Sequence, residues 1–159
     1  MPLRHPPEII EVPYSEMRAM VGTEKLKKYI SGEWTYLHFN DDDIKEFFRK
    51  NPLYEFPEIE KVFDSFMGQH KADLFRYYFL YINGGCHIHF NVMIYVDIAN
   101  ALKDYEFVSI KSGGYDSLFT GVIACAPKNK LARDLLNMLY DVTVEDMSAD
   151  NYYVTNFCK

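Results

Sequence analysis

Three polar side chains, His87, His89 and Asn91, alternate with Cys86, Ile88 and Phe90 in the run CHIHFNV at 86 to 92. An extended strand sends successive side chains to opposite faces. The two imidazoles and the amide therefore share one face, and Cys86, Ile88, Phe90 and Val92 share the other. Two imidazoles two residues apart can hold one metal ion, zinc above all. A hydrolytic zinc centre needs further ligands, however, and His5, His38 and His70 form no companion motif. Histidines satisfied by interior hydrogen bonds are the plainer reading of these residues alone.

A second pair lies just upstream. Asp73 and Arg76 are three apart in KADLFRYYFLYIN, so on a helix they share a face. Their neighbours Leu74, Phe75, Tyr77, Phe79 and Leu80 are core residues by type. A buried charge must be paired or serve a ligand. Spacing alone leaves two readings open. One is an intrahelical ion pair. The other is a pocket wall, where a carboxylate accepts from hydroxyl groups and a guanidinium supplies its fork of donors. Two further stretches are weaker. KSGGYDSLFTG (111 to 121) has the glycines and hydroxyls of a phosphate- or sugar-facing loop but matches no Walker or dinucleotide pattern. The acids of FNDDDIKEFF open a helix, where capping is their ordinary use.

These residues need elements to position them. PEIIEVPY (7 to 14) reads as a short strand closed by Pro13. Ser15 can cap a helix through EMRAMVGTEKLKKYI, with Gly22 a weak point. WTYLHF (34 to 39) reads as a strand, and Asn40 to Asp43 supply the cap and first-turn acids of a helix through IKEFFRK. Pro57 suits the start of the helix PEIEKVFDSF. The segment from His70 to Asn83 is apolar almost all round, which predicts a helix buried on most sides. Gly84 and Gly85 suit the residues that end it. CHIHFNVMIYV, FVSI (107 to 110) and FTGVIACA (119 to 126) follow as strands, and a last helix runs through PKNKLARDLLNMLYDV from Pro127. Helices and strands alternating in this way predict an α/β layered sheet. Ligands of such sheets sit beyond the carboxyl ends of strands. A strand as long as CHIHFNVMIYV would leave the polar triplet in its early half, so that rule does not select it.

Bulk properties exclude several functions. A chain of 159 residues predicts one domain spanning 1 to 159, and 48% hydrophobic with 25% charged residues is globular composition. Aromatics reach 16%, with 13 Tyr and 12 Phe, enough for a large core. Net charge is -6, which argues against a nucleic-acid partner. Three cysteines, Cys86, Cys125 and Cys158, lack metal-type spacing and read as free thiols of a reducing compartment. The start MPLRHPPEII has no apolar signal core, and the longest apolar run, YYFLYI, is too short for a membrane span. A cytoplasmic protein, or a piece of a longer one, is the expectation. The abundance of Tyr, Phe, Ile, Lys and Asn is that of an AT-rich genome, microbial or viral.

The order of the pieces is more specific than any one of them. KADLFRYYFLYINGGCHIHFNV resembles the signature of glycosyltransferase family 32, the DXD-containing group that includes yeast mannosyltransferases, capsule-synthesis enzymes and, more remotely, clostridial glucosylating toxins. Lys71, Ala72, Asp73, Arg76, Tyr77, Leu80, Tyr81, Gly84 and Gly85 stand in register with it. WTYLHFNDDDIKEFFRKN and LFTGVIACAPKNKLARDLL are similar to the flanking segments, and PEIIEVPY echoes the opening strand. The resemblance implies a GT-A fold: an α/β/α sandwich around a mixed, mostly parallel sheet. It implies transfer of a hexose from a UDP- or GDP-linked donor to an unknown glycan, lipid or protein acceptor, with retention. It places Asp73, Arg76, Tyr77, Gly84 and Gly85 at the donor sugar and nucleotide, with Asp116 and Thr120 as loop candidates. It also implies Mn²⁺ or Mg²⁺ held by two aspartates, because an ion neutralises the departing diphosphate. Here those two positions are His89 and Asn91, with His87 beside them, which keeps the geometry and removes both charges. Glu11 and Tyr14 stand where the family has His and Trp. The chain ends, at NYYVTNFCK, near where the family's last metal-facing segment begins, so a truncated or minimal domain is expected. A catalytically inactive relative that binds a sugar nucleotide, glycan or protein is the alternative.

Overall fold

The computed structural model describes residues 9–11, 34–89, 92, 96–102, 104–111 and 118–142. The helix expected after Ser15 lies outside them, as do Tyr14, Asn91, Asp116 and Cys158. In chain order the elements are β1 (Ile9–Glu11), β2 (Tyr36–His38), α1 (Asp41–Lys50), α2 (Ile59–Ser65), α3 (Gly68–Asn83), β3 (Gly85–Ile88), α4 (Ile98–Leu102), β4 (Phe107–Lys111), β5 (Leu118–Cys125) and α5 (Lys130–Tyr140).

The strands form one open mixed sheet in the order β2-β1-β3-β5-β4. β1 is parallel to both β2 and β3. β5 is antiparallel to both β3 and β4. The α/β class expected from the alternation of elements is what the chain builds, with parallel and antiparallel pairings sharing the sheet equally. Because β2 lies on one side of β1 and β3 on the other, the chain reverses its direction of winding between β1 and β3, the kind of point where such sheets open a crevice.

The two sheet faces bury different cores. On one face α1, α2, α3 and α5 pack over Ile123 and Cys125. On the other, Cys86, Ile88 and Ala124 pack against Ile98 and Leu102 of α4, with Trp34, Tyr36 and Val92 at its margin. The aromatic surplus is spent mainly on the first core. Phe39, Phe47, Phe48, Phe75, Tyr78 and Phe79 form a connected cluster of mostly edge-to-face rings, such as Phe48–Tyr78 at 4.8 Å between centroids, the arrangement that ring quadrupoles favour. Tyr78 also donates to the Asn51 carbonyl at 2.7 Å and accepts from the Leu53 amide at 3.1 Å, tying α3 to the turn after α1. That burial pushes its hydroxyl pKa up to about 12.

Helix starts follow local chemistry. Asn40 and Asp43 make a reciprocal capping box on α1, with bonds of 2.9 and 3.0 Å, so the acids of FNDDD do cap. Asp41 pairs with Lys71 of α3 at 2.9 Å. Pro57 and Pro127 precede their helices by a turn instead of opening them. α2 begins at Ile59, and α5 begins after Asn129, whose side chain accepts from the Leu131 and Ala132 amides.

Gly84 and Gly85 have φ of +68° and +110°, a region that residues with a Cβ rarely enter. They reverse the chain from α3 into β3. A Cβ on Gly84 would lie 2.6 Å from Pro127 Cδ and 2.9 Å from the Cys125 carbonyl oxygen, so α3 meets the β5–α5 turn only because this residue has no side chain. β3 is shorter than expected. It ends at Ile88, where the residues of CHIHFNVMIYV were read as one long strand.

Candidate functional site

The chain reversal at Gly84–Gly85 dictates what meets what. Arg76 lies eight residues before it, about 12 Å back along a helix rising ~1.5 Å per residue. His89 lies just past the end of β3, about 13 Å forward at ~3.3 Å per strand residue. A helix folded back on the strand it feeds therefore sets the first half of α3 against the carboxyl end of β3. Since β5 is antiparallel to β3, its opening residues arrive at the same end. Asp73, Arg76, His89 and the stretch Phe119–Gly121 are brought together there.

Asp73 and Arg76 form an ion pair at 2.8 Å between Oδ1 and Nη1, with side chains only 8% and 4% exposed. The same Nη1 donates to the Thr120 carbonyl at 2.7 Å. The guanidinium thus bridges helix and sheet, which a simple intrahelical pair would not do. Its Nε is buried and has no hydrogen-bond partner among the described residues. A buried donor left in that state is costly unless something accepts from it.

His89 is positioned by its backbone, whose N–H donates to the Gly121 carbonyl at 2.7 Å. Its half-buried imidazole has a pKa below the usual histidine value. Burial is the largest cause, the Arg76 charge adds to it, and Asp73 pulls the other way. The ring therefore feels both charges of the pair, and its surroundings favour the uncharged form. His87 is fully buried on the same sheet face, opposite Ile123 in the β3–β5 register. Cys86, Ile88 and Val92 pack in the core of the other face. The alternation expected of this strand therefore holds over 86 to 88.

A β-bulge supplies the part that the sequence reading lacked. The β4–β5 register jumps from Ser109↔Ile123 to Ile110↔Phe119. The intervening carbonyls of Thr120 and Gly121 are the two that accept from Arg76 and His89. Bulges of this kind re-aim groups beside functional sites. Gly121, isolated inside an apolar strand, was the available signal. The Phe119 ring lies over it so closely that a Cβ at Gly121 would come within 2.5 Å of Phe119 Cε1.

Other candidates fall elsewhere. Tyr77 is fully buried in the core of the α3 face. Gly84 and Gly85 stand at the amino end of β3, opposite the cluster, with the structural role described above. Lys71 is engaged by Asp41 and lies over the Phe63 ring at 4.9 Å. The two described cysteines are buried thiols whose pKa values burial raises, Cys125 to about 12. A cavity of about 330 Å³ between α1 and α2, lined by Phe48, Pro52, Phe56, Ile59 and Tyr78 among others, shares no residue with the cluster.

Residues 16–109 match the family described as the glycosyltransferase sugar-binding region containing a DXD motif, more than half of the 159 residues. The chain belongs to this family. No curated protein matches it. The family implies a divalent metal ion, but the described side chains of this glycosyltransferase-family domain do not fit Mn²⁺ or Mg²⁺. Hard ions of that kind take carboxylate and other oxygen ligands. Here the one carboxylate of the cluster is turned to Arg76, and the group at the end of β3 is an imidazole beside that guanidinium. No group of three or more His, Cys, Asp or Glu among the described residues is placed to hold a metal. No described helix is long and apolar enough to cross a membrane.

Proposed function

We propose that this domain, with the GT-A architecture of retaining glycosyltransferases, binds a nucleotide-diphosphate hexose and moves the hexose to an acceptor hydroxyl. In that transfer the bond from the anomeric carbon to the diphosphate oxygen breaks with its electron pair. The acceptor oxygen bonds to that carbon, and the acceptor proton passes to the departing phosphate. Asp73 accepts hydrogen bonds from sugar hydroxyls, and Arg76 donates to the donor's oxygens. By sequence register His89 and Asn91 stand at the positions of the family's two aspartates, which serve the diphosphate.

One observation carries this reading: a buried carboxylate–guanidinium pair, clamped by the Thr120 carbonyl, beside His89 at the carboxyl end of β3. That is where open α/β sheets bind their ligands, and the shorter β3 brings His89 to it. The sequence match to a sugar-binding region agrees.

A second reading, binding without transfer, is favoured by charge. Arg76 is balanced by Asp73 and the surroundings of the imidazole favour its uncharged form, so the cluster has no net positive charge to stabilise a departing diphosphate. Thermal-shift measurements with UDP- and GDP-hexoses, with and without Mn²⁺, test the binding. At about 100 times Kd a ligand adds about 2.7 kcal/mol, a rise of about 5 °C or more for a domain of this size. The expected shift is indifferent to Mn²⁺. Release of free nucleotide over time then distinguishes transfer from binding. A domain stabilised by none of these compounds would overturn both readings.

A further inference from the structure

Phe119 is a large apolar side chain that the core does not take. It is 43% exposed although it lies in β5. Along that strand Gly121, Ile123 and Cys125 alternate onto the α3 face, and the latter two enter its core. The contact of the Phe119 ring with Gly121 puts the ring on the same face. That face also carries the Asp73–Arg76 pair, and β5 reaches it at the end where His89 stands. The ring is fixed from below by a residue without a side chain. It is also anchored along its backbone, since Ser109 Oγ donates to the Phe119 carbonyl at 3.3 Å across the bulge.

We propose that the Phe119 ring is the platform on which the hexose of the bound nucleotide sugar stacks, its C–H face on the aromatic ring and its hydroxyl edge toward Asp73 and Arg76. The inference rests on the sugar-nucleotide reading above and assigns to it a contact outside the signature segment. A pyranose has an apolar face of axial C–H groups and a rim of hydroxyls. An exposed ring on the sheet face that carries a buried carboxylate and guanidinium, with Arg76 donating to the adjacent Thr120 carbonyl, offers one partner to each. A nucleobase would also stack, and titration with the matching nucleoside diphosphate without sugar separates that case from a hexose. Gly121 then has two functions: its carbonyl holds His89, and its missing Cβ leaves the space the ring occupies.

The test compares the parent with Phe119→Ala, Phe119→Trp and Gly121→Ala by calorimetric titration. The probes are the UDP- or GDP-hexose that binds the parent and the matching nucleoside diphosphate without sugar. Phe119→Ala should weaken the hexose nucleotide about fivefold to tenfold, equivalent to roughly 1 kcal/mol, and leave the bare diphosphate unchanged. Phe119→Trp should retain hexose affinity. Gly121→Ala, whose methyl displaces the ring without removing it, should reproduce part of the loss. Circular dichroism melting checks that each variant is folded, and Phe119→Trp keeps the comparison usable should the alanine variant melt early. Equal weakening of both probes would assign the ring to the base and overturn the proposal. Unchanged hexose affinity in Phe119→Ala would overturn it while leaving the sugar-nucleotide reading standing. A parent that binds none of the probes would overturn that reading, and the platform with it.

Discussion

Asp73 and Arg76 are too buried to count as a surface ion pair, and their energetics follow from that. Each would leave an uncompensated charge if its partner were removed, at a cost of about 3–5 kcal/mol. Replacing both by apolar residues of similar volume removes the desolvation penalty together with the attraction. Asp73→Leu and Arg76→Met singly should therefore lower urea-derived stability by about that amount, whereas the double variant should recover much of it. Equal and additive losses would show that the two residues do not act as a pair. The same logic gives His89 a pH signature. Its folded pKa is depressed, by burial first and by Arg76 second, so the unfolded chain binds the proton more readily. Its contribution to stability is complete above the unfolded value of about 6.5 and is lost as pH falls from there through the folded value. His89→Gln should show a shallower loss of stability than the parent between about pH 8 and pH 5. Superimposable profiles would mean that burial and Arg76 together do not depress the imidazole.

At the scale of elements, the unit that matters is α3, the glycine pair and β3. Gly84 is confined both by its φ of +68° and by Pro127 and the Cys125 carbonyl, neither of which is the free end of a flexible side chain. Gly84→Ala should cost about 1–3 kcal/mol, read as a lower urea midpoint with unchanged slope. A neutral result would require the β5–α5 turn to move aside. The three atoms nearest a Cβ at Gly121 all belong to the Phe119 ring, a side chain that can shift, so Gly121→Ala should cost much less. Much of this unit was legible in the sequence. The all-round apolarity of 70 to 83 could describe only a buried helix, two adjacent glycines could only reverse the chain, and period-two alternation set the faces of 86 to 88. Spacing put Asp73 and Arg76 on one helix face and left an ion pair and a pocket wall both open; the pair at 2.8 Å came from the structure. The second partner of Arg76 was not legible, because a backbone carbonyl has no residue type to read, and the bulge that turns Thr120 inward depends on the strand register. The length of β3 was also overestimated, since strand-forming residue types continue past Ile88 although His89 already lies outside the strand.

For the whole molecule, the question is whether a ligand goes to the cavity between α1 and α2 or to the cluster at the carboxyl end of β3. The cavity between α1 and α2 is walled by Phe48, Phe56 and Tyr78, with Arg49 and Glu60 paired at its rim, bonds of 3.1 and 2.7 Å. Those charges already satisfy each other, as Lys61 and Glu58 of the same lining do, and the rest of the wall is mainly apolar. The end of the sheet at the β1–β3 reversal instead has a buried donor with no hydrogen-bond partner among the described residues, an imidazole and an exposed ring, drawn from three separate segments. A ligand bound there should hold α3, β3 and β5 together and slow their local opening. Hydrogen exchange in saturating hexose nucleotide should therefore show added protection around residues 73–76, 87–89 and 118–122, and none beyond the global gain over 48–61. The middle of α3, sealed by aromatic rings on most sides, should exchange slowest with or without ligand. Protection concentrated over 48–61 would move the binding site to the helical cavity. The buried pair would then be a brace between α3 and β5, and the family's sugar-binding role would have to be sought in residues other than Asp73, Arg76 and His89.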